Sequence, residues 1–210
     1  LIVAVRPHEI VGVLESVAPA LESERHIVVS TATGVGLDTL RQHVARGTPI
    51  IRAMPNLGIQ TLNSMTCLAL QADSEGALAL VEEIFAGLGE TIRIDEGNMN
   101  GATALCASGI AFFLRAIRAA SQGGVEIGFH ADEAIRMAAQ TAKGAAELLL
   151  VNRSHPETEI DRVTTPNGCT IAGLNEMESL GFSSAFAQGV VAAAERAASL
   201  YSPPSEPDEE

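Results

Sequence analysis

Tryptophan is absent from this 210-residue chain, tyrosine occurs once, and aromatic residues make up only 3%. With 47% hydrophobic residues, the core of a globular fold of one or two domains has to be built from Ala, Leu, Val and Ile. Lysine also occurs once, as Lys143, and 13 basic residues face 26 acidic ones for a net charge of −13. That balance leaves no basic stripe, which argues against nucleic acid and anionic membrane as partners. Cysteine is scarce: Cys67, Cys106 and Cys169 make an odd count without CxxC spacing. Such usage suits a reducing compartment and small packing roles, and a cytoplasmic location is expected. The five histidines lack ligand spacing, so no metal site is expected. No apolar run is read as long enough to span a bilayer, and no signal peptide is visible. The chain opens LIVAVRPHEI, without methionine and already strand-like. Residues upstream are therefore expected to be missing, or the chain to be a fragment.

What is present alternates. Continuous apolar runs at 1–5, 27–31 and 49–54 predict strands, separated by helices around 8–20 and 37–46. Further strands are expected at 65–70 and 89–95 around a helix near 74–88, with Ser74 as its cap. Apolar strands alternating with helices predict a parallel sheet covered on both faces. After Glu96-Gly97 the pattern changes, and residues 98–200 read as helix only. Ile135, Ala138, Ala142, Ala145 and Leu149 share one helical face; Phe186, Val190, Ala194 and Ala197 share another. So many alanines and glycines leave an isolated bundle poorly filled, which suggests close contact between two chains. The acidic, proline-rich segment 201–210 is expected to be a disordered tail.

Three loops fall at strand ends: Val5-Arg6-Pro7, Thr31-Ala32-Thr33-Gly34 and Met54-Pro55-Asn56. In open parallel sheets, ligands bind at the carboxyl ends of strands, so these loops are expected to line one crevice. The sequence has no GxGxxG. The stretch VTTPNGCTIAGL, 163–174, places Asn167, which tolerates φ > 0, and Gly168, which permits close approach, ahead of a helix start. Its unpaired N–H groups make either an anion socket or an ordinary capped start. In GATALCASGIAFFL, 101–114, Thr103 and Ser108 are five apart and cannot share one face of a continuous α-helix. A bend near 107–109 would bring both to one pocket; a tight helix–helix contact is the alternative. These loops hold no histidine, lysine or carboxylate, and no Ser–His–Asp set is recognisable. A reaction needing no strong protein acid or base fits, such as hydride transfer from a nicotinamide to an activated C=N bond.

These stretches, in order, resemble the pyrroline-5-carboxylate reductase family. AVRP (4–7) is similar to its AVKP, RAMPN (52–56) to RVMPN, and GATAL (101–105) to AVTAL. AAQTAKGAA (138–146) is similar to AAQTVKGAA, and TTPNGCTIAGL (164–174) to TSPGGTTIAGL. The resemblance implies an α/β Rossmann-type parallel-sheet domain, its N-terminal part missing here, followed by an all-α dimerisation domain. It implies a division at 1–97 and 98–200, and reduction of 1-pyrroline-5-carboxylate to L-proline by NADPH or NADH. The partner implied is a second copy through the helical domain, with larger assemblies also compatible.

Carried over by motif, Ala4, Val5, Arg6, Pro7, Thr33 and Asn56 face the cofactor. Ala102, Thr103, Ser108, Gly168, Cys169 and Thr170 face the substrate. Thr103 is the catalytic residue, hydrogen-bonding the imine nitrogen, and the turn at Gly168 receives the carboxylate. The chain also departs from the pattern. Ile110 and Phe112 replace the proline and tyrosine of SGSGPAY, Leu57-Gly58 replaces the end of MPNTP, Asn63 stands for a glutamate, and Asn167 for a glycine. These departures leave open a paralogue acting on another cyclic imine or small acid, and a non-catalytic dimeric homologue.

Overall fold

The computed structural model describes residues 1–201 and divides into two units. One comprises Leu1–Ile110 together with the chain from Val190; the other is Ala111–Gly189.

The first unit is built on five strands: β1 (Ile2–Val3), β2 (Val28–Ser30), β3 (Ile50–Met54), β4 (Ser64–Leu70) and β5 (Gly89–Arg93), adjacent in that order. β1, β2 and β3 are mutually parallel and β4 is parallel to β5, but β4 runs antiparallel to β3. The sheet is thus parallel-dominated rather than wholly parallel. The correction has a simple cause: residues 55–63 carry only a short 3-10 turn, and without a crossover helix the chain can only run back. β1 is shorter than the apolar run 1–5, because Ala4 and Val5 have already turned toward Pro7.

Side-chain alternation sorts the core. Val28 and Ile50 point to one face, where Ile10 and Leu14 of α1 (Ile10–Val17) and Leu37 and Leu40 of α2 (Leu37–Gln42) cover them. Val29, Ile51, Ala53 and Leu68 point to the other, against Ala77, Val81 and Phe85 of α3 (Glu75–Ala86). Each fully buried Leu, Ile or Phe there contributes about 1.5–3 kcal/mol. Ser74 does not cap α3: its hydroxyl accepts from the Ile50 N–H at 3.0 Å and so pins the start of β3. Gly89, at φ 144, opens β5, and a Cβ there would lie 2.1 Å from the Ser64 carbonyl oxygen.

From Glu96 a 3-10 turn leads into α4 (Met99–Ala102), a π-helical segment Thr103–Ser108, and α5 (Gly109–Glu126). The helical run Glu96–Glu126 is long and apolar enough, by length and composition, to cross a membrane. The reading that no such run exists is thereby corrected; the apolar residues are diluted by glycine and alanine and only add up along the continuous helix.

The second unit holds most of α5, then α6 (Ala131–Asn152), α7 (Pro156–Val163), α8 (Cys169–Ser179) and the first part of α9 (Phe182–Ala198). Phe186 sits among Phe112, Phe113 and Phe182, with ring centroids 5.4–6.2 Å apart. The expected α6 face is only partly covered: Ala138, Ala142 and Leu149 are half-buried, Ile135 and Ala145 are exposed, and Ala134 is the buried residue of the helix. Tyr201, placed by sequence in the tail, packs against the first core cluster; 202–210 lie outside the described residues.

Candidate functional site

Three parallel neighbours, β1, β2 and β3, end side by side, so Ala4-Val5-Arg6-Pro7, Thr31–Gly34 and Met54-Pro55-Asn56 share one crest of the first unit. Ala4 and Arg6 are exposed, while Val5, Pro7, Thr33 and Asn56 are half-buried. The Arg6 backbone N–H donates to Glu9 at 3.0 Å, and its guanidinium joins no ion pair among the described residues. An exposed, unneutralised cation on this crest fits a phosphorylated ligand; the glycine-rich loop that would cradle a pyrophosphate is not in this sequence.

Asn56 does more than line the crest. Its Oδ1 accepts from the Gly58 N–H at 2.9 Å, its Nδ2 donates to the Cys106 carbonyl at 3.2 Å, and its own N–H donates to Ser64 Oγ at 3.1 Å. The side-chain amide is thereby oriented, with one N–H left for a ligand.

The expected bend at 107–109 is replaced by the π-helical segment. There the N–H of residue i+5 bonds the carbonyl of residue i, which stacks residues five apart and puts Thr103 and Ser108 on one side. Thr103 is 7% exposed and its hydroxyl donates to the Met99 carbonyl at 2.9 Å. Its proton is committed, so what it offers a ligand is its lone pairs. Ala102 and Ser108 are half-buried beside it.

In the second unit, Asn167 adopts φ 58 and Gly168 ends the turn as the N-cap of α8. The Gly168 N–H returns to the Thr165 carbonyl at 2.9 Å. A Cβ at 168 would lie 2.5 Å from Thr165 Oγ1 and 3.0 Å from the Thr165 carbonyl oxygen, so an alanine here would have to displace Thr165. Among the described residues, the N–H groups of Cys169, Thr170 and Ile171 have no acceptor and the N-cap gives no side-chain bond. They form an open donor set at the positive end of a helix.

Two features escaped the sequence reading. Arg52, 5% exposed in the middle of β3, lies 3.3 Å from Glu96, and Glu96 Oε1 also accepts from the Leu37 N–H at the start of α2. Burial lowers the Arg52 pKa and Glu96 opposes the shift. One carboxylate therefore joins β3, the start of α2 and the exit from β5. An arginine inside an apolar central strand was the available signal. The second is a thiol pair, Cys67 on β4 and Cys106 on the π-helical segment, with Sγ atoms 3.8 Å apart.

The second unit also leaves much apolar surface uncovered: Leu180 is 78% exposed, Ile127 77% and Val151 70%. A groove of about 460 Å³ between α5 and α6 is lined by Phe113, Ile117, Phe129 and Met137 with alanines between them.

A parallel-dominated sheet of nucleotide-binding type, followed by an all-helical domain of the dimerising kind, is the class these features define. Residues 96–200 match the family model of pyrroline-5-carboxylate reductase dimerisation. Pyrroline-5-carboxylate reductase 2 of Dictyostelium discoideum is 49% identical over 211 residues, which cover 93% of this chain and 70% of that protein. Pyrroline-5-carboxylate reductase 1 of the same organism is 52% identical over 212 residues, 95% of this chain but 38% of its own length. A solved pyrroline-5-carboxylate reductase from Coxiella burnetii matches with a TM-score of 0.89 at 27% identity, covering 96% of this chain and 75% of that one. The chain belongs to the pyrroline-5-carboxylate reductase family. It spans well under half the length of one Dictyostelium relative and about two thirds of the other.

Proposed function

We propose that the protein reduces 1-pyrroline-5-carboxylate to L-proline with NADPH or NADH, as a dimer in the cytoplasm. The observation that carries this reading is the 49% identity to a reductase of that name across nearly the whole chain. In this reading residues 1–97 supply the later part of the cofactor-binding domain, 98–200 supply dimerisation and substrate binding, and Ala4, Val5, Arg6, Pro7, Thr33 and Asn56 hold the cofactor. The chemistry supplied by a bound reduced nicotinamide is hydride transfer.

Two sets of residues position the substrate, one carried by each unit, supplied by one copy of the chain or by two. The amides behind Gly168, at Cys169 and Thr170, receive its carboxylate, with the Thr170 hydroxyl beside them. Thr103 holds the ring nitrogen. Its hydroxyl proton is committed to Met99, so Thr103 accepts a hydrogen bond from the protonated imine, the more electrophilic form. A hydrogen bond to a charged group is worth about 1.5–3 kcal/mol. The apolar surface of the helical unit, including its part of the long run from Ala111 to Glu126, is assigned to the second copy.

Steady-state oxidation of NADPH and NADH by the complete protein tests the reading. With pyrroline-5-carboxylate, Thr103→Val is expected to lower kcat/KM by about 10–100-fold. A faster rate on a six-membered ring imine would reassign the substrate, and absence of saturable nucleotide binding would remove the enzyme altogether. Light scattering after size-exclusion chromatography is expected to give twice the chain mass or a multiple of it.

A further inference from the structure

Cys67 and Cys106 come from separate elements and meet beside the proposed site. Cys67 sits in a strand paired on both sides, with Met54 of β3 and Ile92 of β5, and is buried in the cluster of Met54, Ala69 and Met99. Cys106 is half-buried on the π-helical segment that also carries Thr103, and its carbonyl receives the Asn56 amide. The sulfurs need to close by roughly 1.7–1.8 Å to reach a disulfide bond length of about 2.04 Å. β4 is held by two neighbours, so the movement falls to the π-helical turn, a geometry with one residue more than an α-turn would hold.

We infer that Cys67 and Cys106 form a reversible disulfide, made by a hydroperoxide, that switches the reductase off. The chemistry balances in two steps. The Cys106 thiolate attacks the peroxide, the O–O bond breaks, and the leaving oxygen takes up a proton to depart as water or an alcohol while Cys106 becomes a sulfenic acid. The Cys67 thiol then attacks that sulfur, the S–O bond breaks, and water leaves with the Cys67 proton. The two sulfurs have lost two electrons and the peroxide has gained them. A dithiol returns both electrons and restores the pair.

The order of attack follows from the environment. The hydrogen bond from the Cys67 thiol draws the Cys106 pKa down to about 7, and the same bond together with burial pushes that of Cys67 up. Cys106 is thus the nucleophile and Cys67 the resolving thiol. Drawing Cys106 toward β4 displaces its carbonyl from Asn56 and shifts the turn that presents Thr103. Displacement of a catalytic group by about 1 Å costs on the order of 100-fold in rate.

The effect on turnover rests on the reductase reading, whereas formation of the disulfide does not. Trypsin cuts after Arg52, Arg93 and Arg115, which places the two cysteines on peptides 53–93 and 94–115. After treatment of the complete protein with hydrogen peroxide, non-reducing mass spectrometry is expected to find these peptides joined, about 2 Da lighter than their sum. Reductase activity should fall by about 100-fold and return with dithiothreitol. Cys67→Ala, and Cys106→Ser as a second variant with its fold checked by circular dichroism, should give no such link. In Cys67→Ala, peroxide should carry Cys106 on to a sulfinic acid that dithiothreitol does not rescue. Unlinked peptides with sulfinylated Cys106 in the unsubstituted protein would overturn the disulfide. A linked pair at full activity would overturn the switch, and an unoxidised protein without activity would count against the reductase reading alone.

Discussion

The Asn56 side chain donates to the Cys106 carbonyl at 3.2 Å, tying the loop after β3 to the widened turn that presents Thr103. An aspartate there would keep the acceptor toward Gly58 but set a carboxylate oxygen against the Cys106 carbonyl. Asn56→Asp is therefore expected to destabilise the first unit by about 1–3 kcal/mol in urea titrations. It should also lower kcat/KM more than nucleotide affinity. Asn56→Ser, which removes the tie without adding charge, should lose less of both.

Glu96 bridges Arg52 and the Leu37 N–H, so its loss leaves a buried guanidinium without a counter-charge. Glu96→Ala is expected to cost about 3 kcal/mol, the low end for a broken buried pair because Glu96 keeps some solvent contact. Glu96→Gln also removes the charge but retains an acceptor, and should cost about 1 kcal/mol less. Both variants lack the charge, so equal shifts in denaturation midpoint would remove the hydrogen bonds from the account and leave the charge.

At Gly168 the prediction separates binding from folding. The Cβ of Gly168→Ala would collide with Thr165 Oγ1, so the turn must open and the amides behind it must re-aim. A rise in KM for the carboxylate substrate is expected, with little change in thermal midpoint. Adding Thr165→Ala removes the nearer collision, and the double variant should recover part of the lost affinity.

The lowered pKa of Cys106 has a direct signature in the reduced protein. Its thiolate grows in as pH rises through about 7, below its ordinary value, because the Cys67 thiol donates to it. Iodoacetamide labelling of peptide 94–115 should therefore reach its half-maximal rate near pH 7, while peptide 53–93 stays unlabelled in the native state. In Cys67→Ala the midpoint should move upward.

Much of this was legible in the sequence, for identifiable reasons. The runs that became β2, β3 and β4 are apolar on both faces, and of the residues at helical spacing over 78–88, Val81 and Phe85 are buried, Leu78 and Leu88 half-buried and Ile84 exposed. Asn167 tolerates the positive φ that it adopts, and Gly168 the close approach at its turn. The direction of β4 was not legible from its own residues, since alternation does not encode sense; only the helix-free connection 55–63 held that information. Nor does any residue type announce a π-turn, so the sequence suggests a bend between Thr103 and Ser108 where the backbone widens instead. Ser74 illustrates the same limit, because a hydroxyl beside a helix start serves equally to cap the helix or to pin a strand, and here it pins Ile50. The Arg52–Glu96 and Cys67–Cys106 pairs join residues 44 and 39 positions apart, which no local spacing can reveal.

Gly89 sets a different kind of constraint. Its backbone φ of 144 and the 2.1 Å separation that any side chain would have from Ser64 exclude the other amino acids, although the residue carries no chemistry. Random changes in its codon should accordingly surface as loss of the whole protein rather than of turnover. In a mutational survey this position would score as severely as Thr103, yet its variants would be missing from the soluble fraction instead of present and inactive.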